Sequence, residues 1–316
     1  MENTKENYMD WFYDSRIQNE IITSDAQSFE DLFCKIMKEN DDNFNKVKAS
    51  GRKGDKNCDG FNQITGDYYC IYAPEDFSKE YTIKNGLAKI EKDIKGISAK
   101  WKNIKVINYV INDKFKGLPP DVHQLINDLR DNQQNPKIEL FSMEKLKKIT
   151  LSLSENQKQS ILGYVPDLTN SVSTLQFSTV EEIIKYLEKN VKVINLDGKL
   201  TVPDFSDKIQ FNHLSNGIRD SLNCARYQIH MIDEFFENSS AYSKEDLRNI
   251  CNGLYLESCK IISDDVENSS DKRFVYILEK MSYDIHSKSV MDNVLIIMAN
   301  FFESCDIFEE PPTKEG

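Results

Sequence analysis

The first third of the chain alternates between helical and strand-like hydrophobic patterns. Residues 28–39 place their apolar side chains on one helical face, and Ser28 with Asp31 forms an acidic N-terminal capping pattern. Two strand-like segments follow, at 59–64 and 68–73. Gly66-Asp67 predicts the turn between them, and Pro74 ends the second strand because proline cannot donate to a sheet.

The same mixed pattern continues towards residue 148. Residues 83–99 predict a lysine-rich helix, and the apolar run 104–111 predicts a strand. Pro119-Pro120 predicts the start of a helix that continues to Arg130, and residues 137–141 predict a last strand. This order predicts an α/β N-terminal domain, with a mixed sheet and flanking helices.

The later sequence is helical instead. Thr179-Val-Glu-Glu182 reads as a capping box for a helix that ends at Lys189, and Asp197-Gly198 reads as a turn between two short strand-like segments. From residue 211, apolar residues recur at helical spacing in four stretches joined by short loops, which predicts an all-α C-terminal bundle. The predicted domains are 1–148, a connecting module at 149–210, and a helical partner-docking domain at 211–316.

The net charge and the cysteines indicate which kinds of partner and which cellular location the protein has. The net charge is −12, and most of the acidic excess lies after residue 150. An acidic chain is not suited to broad coating of nucleic acid, whereas an acidic helical half suits docking to another protein. Seven cysteines without a CxxC pair favour a reducing, cytoplasmic location, and no apolar run is long enough to predict a membrane helix.

The candidate chemistry lies between Gly51 and Pro74. A basic glycine-bearing loop (Gly51-Arg-Lys-Gly54) leads to Asp59-Gly60 and the predicted hairpin, and Phe29-Glu30 lies on the preceding helix. Side chains two residues apart on a strand share a face, so Cys70 and Tyr72 point the same way.

This arrangement of residues 28–141 resembles the PD-(D/E)XK nuclease superfamily, in particular its Mrr-type restriction endonuclease branch. The resemblance implies a restriction-endonuclease-like fold and Mg²⁺-dependent cleavage of DNA, with Asp59 and Glu30 as metal ligands. The position of the family's acid or glutamine is Cys70, and the position of its lysine is Tyr72. A thiol is a poor ligand for Mg²⁺ and a tyrosine carries no positive charge, so a cation from elsewhere is required. The candidate catalytic residues are Asp59, Glu30, Tyr72 and Lys56.

Two basic groups could contact a phosphate backbone. The nucleic-acid-binding candidates Lys48, Arg52, Lys53 and Lys56 belong to the first group, together with Lys46. The second group is spread over residues 84–105, where a solvated helix face is an equally good interpretation.

Two other loop chemistries are disfavoured. Asp55-x-Asn57-x-Asp59-Gly60 begins like a calcium-binding EF-hand loop, but its twelfth position is Gly66 rather than glutamate. Gly51-x-x-Gly54-Asp-Lys56 is too short for a phosphate-binding P-loop and has no serine or threonine after the lysine.

Three segments near the end of the chain show a second resemblance. They are Phe211-Asn-His-Leu-Ser-Asn-Gly-Ile-Arg-Asp220, Ile232-Asp-Glu-Phe-Phe236 and Cys305-Asp-Ile-Phe-Glu-Glu-Pro311. Residues 207–316 resemble a C-terminal domain of bacterial ABC-three-component systems, which overlap with Lamassu-type antiphage defence. The resemblance implies two partners, an SMC-like or ABC-type ATPase and a small middle subunit.

Two functions follow as hypotheses. The first is a defence effector whose N-terminal domain cuts DNA with Mg²⁺ while its helical domain holds it on an ATPase. The second is a catalytically inactive scaffold of the same fold that binds DNA or partner subunits. Association of several copies of the chain is compatible with both, and neither requires a membrane.

Overall fold

A computed structural model describes residues 2–48, 55–75, 80–132, 136–166, 172–191, 204–304 and 306–312, with side chains from residue 9 except those of 80–82. The chain divides into two compact units. The sheet unit spans Glu20–Ile161, and the helical unit combines Met1–Asn19 with Leu162–Gly316. The domain boundaries predicted at residues 148 and 210 stay predictions.

In the described residues, the strands of the sheet unit are β1 (Phe44–Lys46), β2 (Gly60–Asn62), β3 (Asp67–Tyr72), β4 (Val106–Ile111) and β5 (Lys137–Phe141). They form one sheet in the order β1-β2-β3-β4-β5. Neighbouring strands are antiparallel from β1 to β3 and parallel from β3 to β5. The predicted mixed sheet is therefore confirmed, whereas the likeness to a nuclease fold stays a proposal.

Helices cover this sheet on two faces. The described helices up to residue 162 are α1 (Glu2–Thr23), α2 (Ala26–Asn40), α3 (Glu80–Lys100), α4 (Pro120–Asn132), α5 (Met143–Ser152) and α6 (Glu155–Leu162). On one face, Phe33 of α2 contacts the rings of Phe44, Tyr69 and Phe141. On the other face, buried isoleucines of α3 and α4 pack in one core with Tyr68 and Cys70. Successive β3 residues thus point to opposite faces, as a pleated strand requires.

Two predicted caps are corrected. Helix α2 begins at Ala26 rather than Ser28, and the Ser28 hydroxyl accepts a hydrogen bond from the backbone N–H of Asp25, 3.0 Å away. Helix α7 (Phe177–Asn190) begins before Thr179, which lies within its first turn. Helix α2 starts upstream because Asp25 is its N-cap residue and forms a capping box with Ser28. Helix α7 has Gln176 as its N-cap residue. The predicted turn at Asp197-Gly198 lies outside the described residues.

The helical unit is built around α13 (Lys288–Glu303), whose residues Val290 to Phe302 are all buried. Its neighbours are α7, α9, α11 and α12. The other helices are α8 (Phe205–Phe211), α9 (Asn216–Arg226), α10 (His230–Asn238), α11 (Lys244–Ile261) and α12 (Ser269–Met281). The described part of residues 172–312 contains helices and no strand, which confirms a helical C-terminal region.

The first residues of the chain belong to this helical unit and not to the sheet unit. Arg16 is fully buried, and its guanidinium pairs with Glu279, with Nε 2.6 Å from Oε1. The same side chain donates to the backbone carbonyl of Tyr164 over 2.7 Å. A buried arginine needs such partners because unpaired charge is costly away from water.

Candidate functional site: an acidic cleft in the sheet unit

A cleft of about 600 Å³ opens in the sheet unit. Its walls come from α2, from β1 with the two residues after it, and from the segment before β2. The lining residues are Gln27, Glu30, Lys46, Val47, Lys48, Asp55 and Asp59. Three sequence-predicted site residues, Glu30, Lys48 and Asp59, therefore line one cleft although they are distant in sequence.

Backbone hydrogen bonds fix Asp59 in this wall. Its N–H donates to the carbonyl of Tyr69 over 2.9 Å, and its carbonyl accepts from Val47 N–H over 2.8 Å. The side chain is held as well, because Oδ2 accepts a 2.6 Å hydrogen bond from the N–H of Ile71. Asp59 is thus tied to the residue directly before Tyr72 on β3.

The electrostatic environment of Asp59 is unfavourable for its charge. Burial, together with the nearby carboxylates of Glu30 and Asp55, raises the pKa of its carboxyl to about 7. The Ile71 hydrogen bond and the positive charge of Lys89 act in the opposite direction and limit this rise. Strongly perturbed carboxyl groups in clefts are common at functional sites, since a ligand can supply the compensation that the fold lacks.

Cys70 and Tyr72 do not join this cleft. Cys70 is buried, and its Sγ donates to the carbonyl of Asn57 over 3.0 Å. Burial raises the pKa of Cys70 well above its ordinary value and also raises that of Tyr72. Both side chains therefore stay neutral at neutral pH, so neither is suited to ligating Mg²⁺.

The predicted basic residues divide into three groups. Lys48 is exposed and lines the cleft. Lys56 is exposed and is not a lining residue; its ammonium lies 5.6 Å from the centre of the Trp101 ring. Arg52 and Lys53 lie outside the described residues.

The cleft also contains a cation, Lys46, whose pairing with Glu30 was not predicted from the sequence. Lys46 forms an ion pair with Glu30, with Nζ 3.4 Å from Oε1, and also pairs with Asp31. The strand β1 that places Lys46 here is only three residues long. The alternation of Phe44 and Lys46 around Asn45 was the sequence signal for it, but so short a pattern rarely stands out.

The donor set of the cleft suits a hard cation. No group of three His, Cys, Asp or Glu side chains within the described residues forms a ready metal cluster. Mg²⁺, however, is commonly held by one or two carboxylates, with water and substrate phosphate completing its shell. Glu30 and Asp59 can provide such a pair, and they are the residues that would hold the ion.

In the helical unit, the segment Asp306–Glu309 folds back onto the bundle. The buried ammonium of Lys208 donates to the carbonyl of Ile307 over 2.8 Å. Asn212 binds Glu309 twice, donating to its carbonyl over 2.8 Å and accepting from its N–H over 2.9 Å. Two of the sequence segments behind the second resemblance are therefore in direct contact.

The comparisons agree with that second resemblance. Residues 178–309 match C-terminal domain 10 of the ABC-three component (ABC-3C) systems, so the helical region from residue 178 is a C-terminal domain of this family. No curated protein and no solved structure matches the chain. None of the described helices is long and apolar enough to cross a membrane.

Proposed function

We propose that this chain is the effector subunit of an antiphage ABC-three-component complex, and that its sheet unit cleaves DNA at the Glu30–Asp59 cleft. The observation that carries the proposal is that Glu30, Lys48 and Asp59 line the same cleft. The domain match supports membership in a multi-component, defence-related assembly.

The charges of the cleft residues indicate a separate role for its carboxylates and for its lysines. Asp59 and Glu30 would hold Mg²⁺, and the bound ion would supply polarisation of a phosphodiester and of its attacking water. The N–H of Ile71 holds Oδ2 of Asp59, which fixes the direction of the other carboxylate oxygen, Oδ1. Lys48 and Lys46 offer positive charge to the phosphates that flank the cleavage point.

The helical unit supplies the regulatory half of the proposal. It docks an SMC-like or ABC-type ATPase and a small middle subunit, and this assembly restrains cutting until phage DNA is sensed. The match of residues 178–309 to a domain of three-component systems supports this assignment.

A second candidate function is a non-catalytic scaffold with the same partners. The neutral Tyr72 and the buried, backbone-bonded Cys70 favour it, because they leave the two β3 positions that correspond to the nuclease family's catalytic pair without a charged side chain. The scaffold would bind DNA or partner subunits without cleaving either.

Nicking of supercoiled plasmid separates the two functions. Purified full-length chain, alone and with its partner subunits, should nick DNA with Mg²⁺ and stop when EDTA is added. Asp59→Ala and Glu30→Gln should each lower the rate by about 100-fold, because each removes a metal ligand. Asp67→Asn, on β3 outside the cleft lining, is the matched control and should cut normally. Wild-type protein that never nicks contradicts the nuclease assignment and leaves the scaffold.

A further inference from the structure

A cation of helix α3 lies beside Tyr72. The ammonium of Lys89 lies 5.7 Å from the centre of the Tyr72 ring. Positive charge is thus present beside the end of β3 even though the strand itself carries none. Because Tyr72 directly follows Ile71, whose N–H binds Asp59, Lys89 and the Asp59 carboxylate are both placed at this one strand end.

A buried polar network holds Lys89 there. Its Nζ donates to Oδ2 of Asp93 over 2.6 Å, and the hydroxyl of Tyr109 donates to the same oxygen over 3.1 Å. The amide of Asn57 donates to the other oxygen over 2.9 Å. Asp93 is 6% exposed, so this carboxylate depends on its three donors for compensation.

The network also couples Lys89 to the cleft wall. Asn57 lies two residues before Asp59, and its carbonyl accepts the hydrogen bond from Cys70. One set of side chains thereby orients both the lysine and the segment that carries the cleft carboxylate. A surface ion pair with no further function would not need these buried partners.

Lys89 is anchored on a buried carboxylate and is nevertheless accessible to solvent. Its side chain is 45% exposed while its partner Asp93 is buried. Lys95 also pairs across one helical turn, with Glu91, but both members of that pair are exposed. Lys89 can therefore keep its position and still offer N–H donors to an anion.

We propose that Lys89, beside the cleft at the end of β3, is a phosphate-binding residue and supplies to a bound DNA backbone the positive charge that Tyr72 lacks. The inference rests on the proposed function, since it requires DNA at the cleft. Asp93, Asn57 and Tyr109 are its positioning residues.

The test is the salt dependence of binding to a labelled DNA duplex in EDTA, where cleavage cannot interfere. Each lost phosphate contact lowers the slope of log K against log salt by about 1. Lys89→Gln keeps an N–H donor for Asp93, should weaken DNA binding and should lower the slope of log K against log salt by about 1. Lys89→Arg should have the affinity and the slope of the wild type. Lys95→Gln, the matched control, should leave the slope unchanged.

A second measurement uses only proteins that keep a positive charge at position 89, the wild type and Lys89→Arg. After reductive ¹³C-methylation of the lysines, the Lys89 resonance can be identified by its absence from Lys89→Arg. It should shift when DNA is added, and the Lys95 resonance should not. This readout holds even where Lys89→Gln fails to fold.

The outcomes distinguish this inference from the nuclease proposal. If DNA binding depends on Lys89 but the wild type never nicks DNA, the nuclease proposal is wrong and the phosphate-binding role of Lys89 is supported. Nicking and DNA binding that are indifferent to Lys89, with no shift of its resonance, overturn the Lys89 assignment alone. A wild-type chain that binds no DNA overturns both.

Discussion

At the scale of single residues, ionisation of the buried Asp59 carboxyl destabilises the folded protein. Its folded-state pKa of about 7 lies above the ordinary value of 3.8, so the folded protein favours the protonated form. Stability from this group is fully present below about pH 4 and is lost as pH rises to about 7. Above that pH the ionised carboxylate costs on the order of 4 kcal/mol at most.

Asp59→Asn should therefore stabilise the protein at pH 8 and change little at pH 4. Asparagine keeps an oxygen to accept from Ile71 N–H but never ionises. Urea unfolding at the two pH values measures the difference, with Asp67→Asn as the matched control. A loss of stability of equal size at both pH values would show that burial of the Asp59 charge is not the cause.

At the scale of elements, Asn57, in the segment before β2, packs against helix α3 and hydrogen-bonds to it. Asn57 has a left-handed backbone (φ 66°), accepts a hydrogen bond from Lys100 over 2.6 Å, and faces Gly96. A Cβ at position 96 would lie 2.7 Å from Cγ of Asn57, which is too close. Gly96 therefore permits the close contact that places Asn57 near Asp93.

Gly96→Ala should destabilise the protein by about 1–3 kcal/mol despite the higher helix propensity of alanine, because Asn57 must move. It should also weaken DNA binding. The same substitution in an Asn57→Ala background should cost much less, which a thermodynamic cycle from chemical unfolding would measure. Equal costs in both backgrounds would mean that the close contact does not matter.

The sequence allowed most elements of the sheet unit to be predicted, and its failures have local reasons. Strand β5 agrees with its predicted bounds, and α3 and β4 differ by only a few residues, because each has a continuous periodic core. Strand β1 went unrecognised because three residues show little alternation. At the site, motif spacing identified Glu30 and Asp59, whereas Lys46 and Lys89 required knowledge of how β1 and α3 pack.

At the scale of the whole molecule, a C-terminal domain of the three-component type is joined to a mixed α/β unit with an acidic cleft. The grouping of residues 1–19 with the helical unit could not be read from the sequence, since it depends on long-range pairs such as Arg16 with Glu279. In the proposed function, the helical unit is responsible for assembly and the cleft is responsible for cleaving DNA. The two should therefore be separable by substitution.

The most direct test is survival of phage infection by cells carrying this chain with its partner subunits. Asp59→Asn should abolish protection while the variant still co-purifies with those subunits, and Asp67→Asn should protect as well as the wild type. Full protection by an assembled Asp59→Asn complex would contradict the central claim, because the cleft carboxylate would then have no part in the defence.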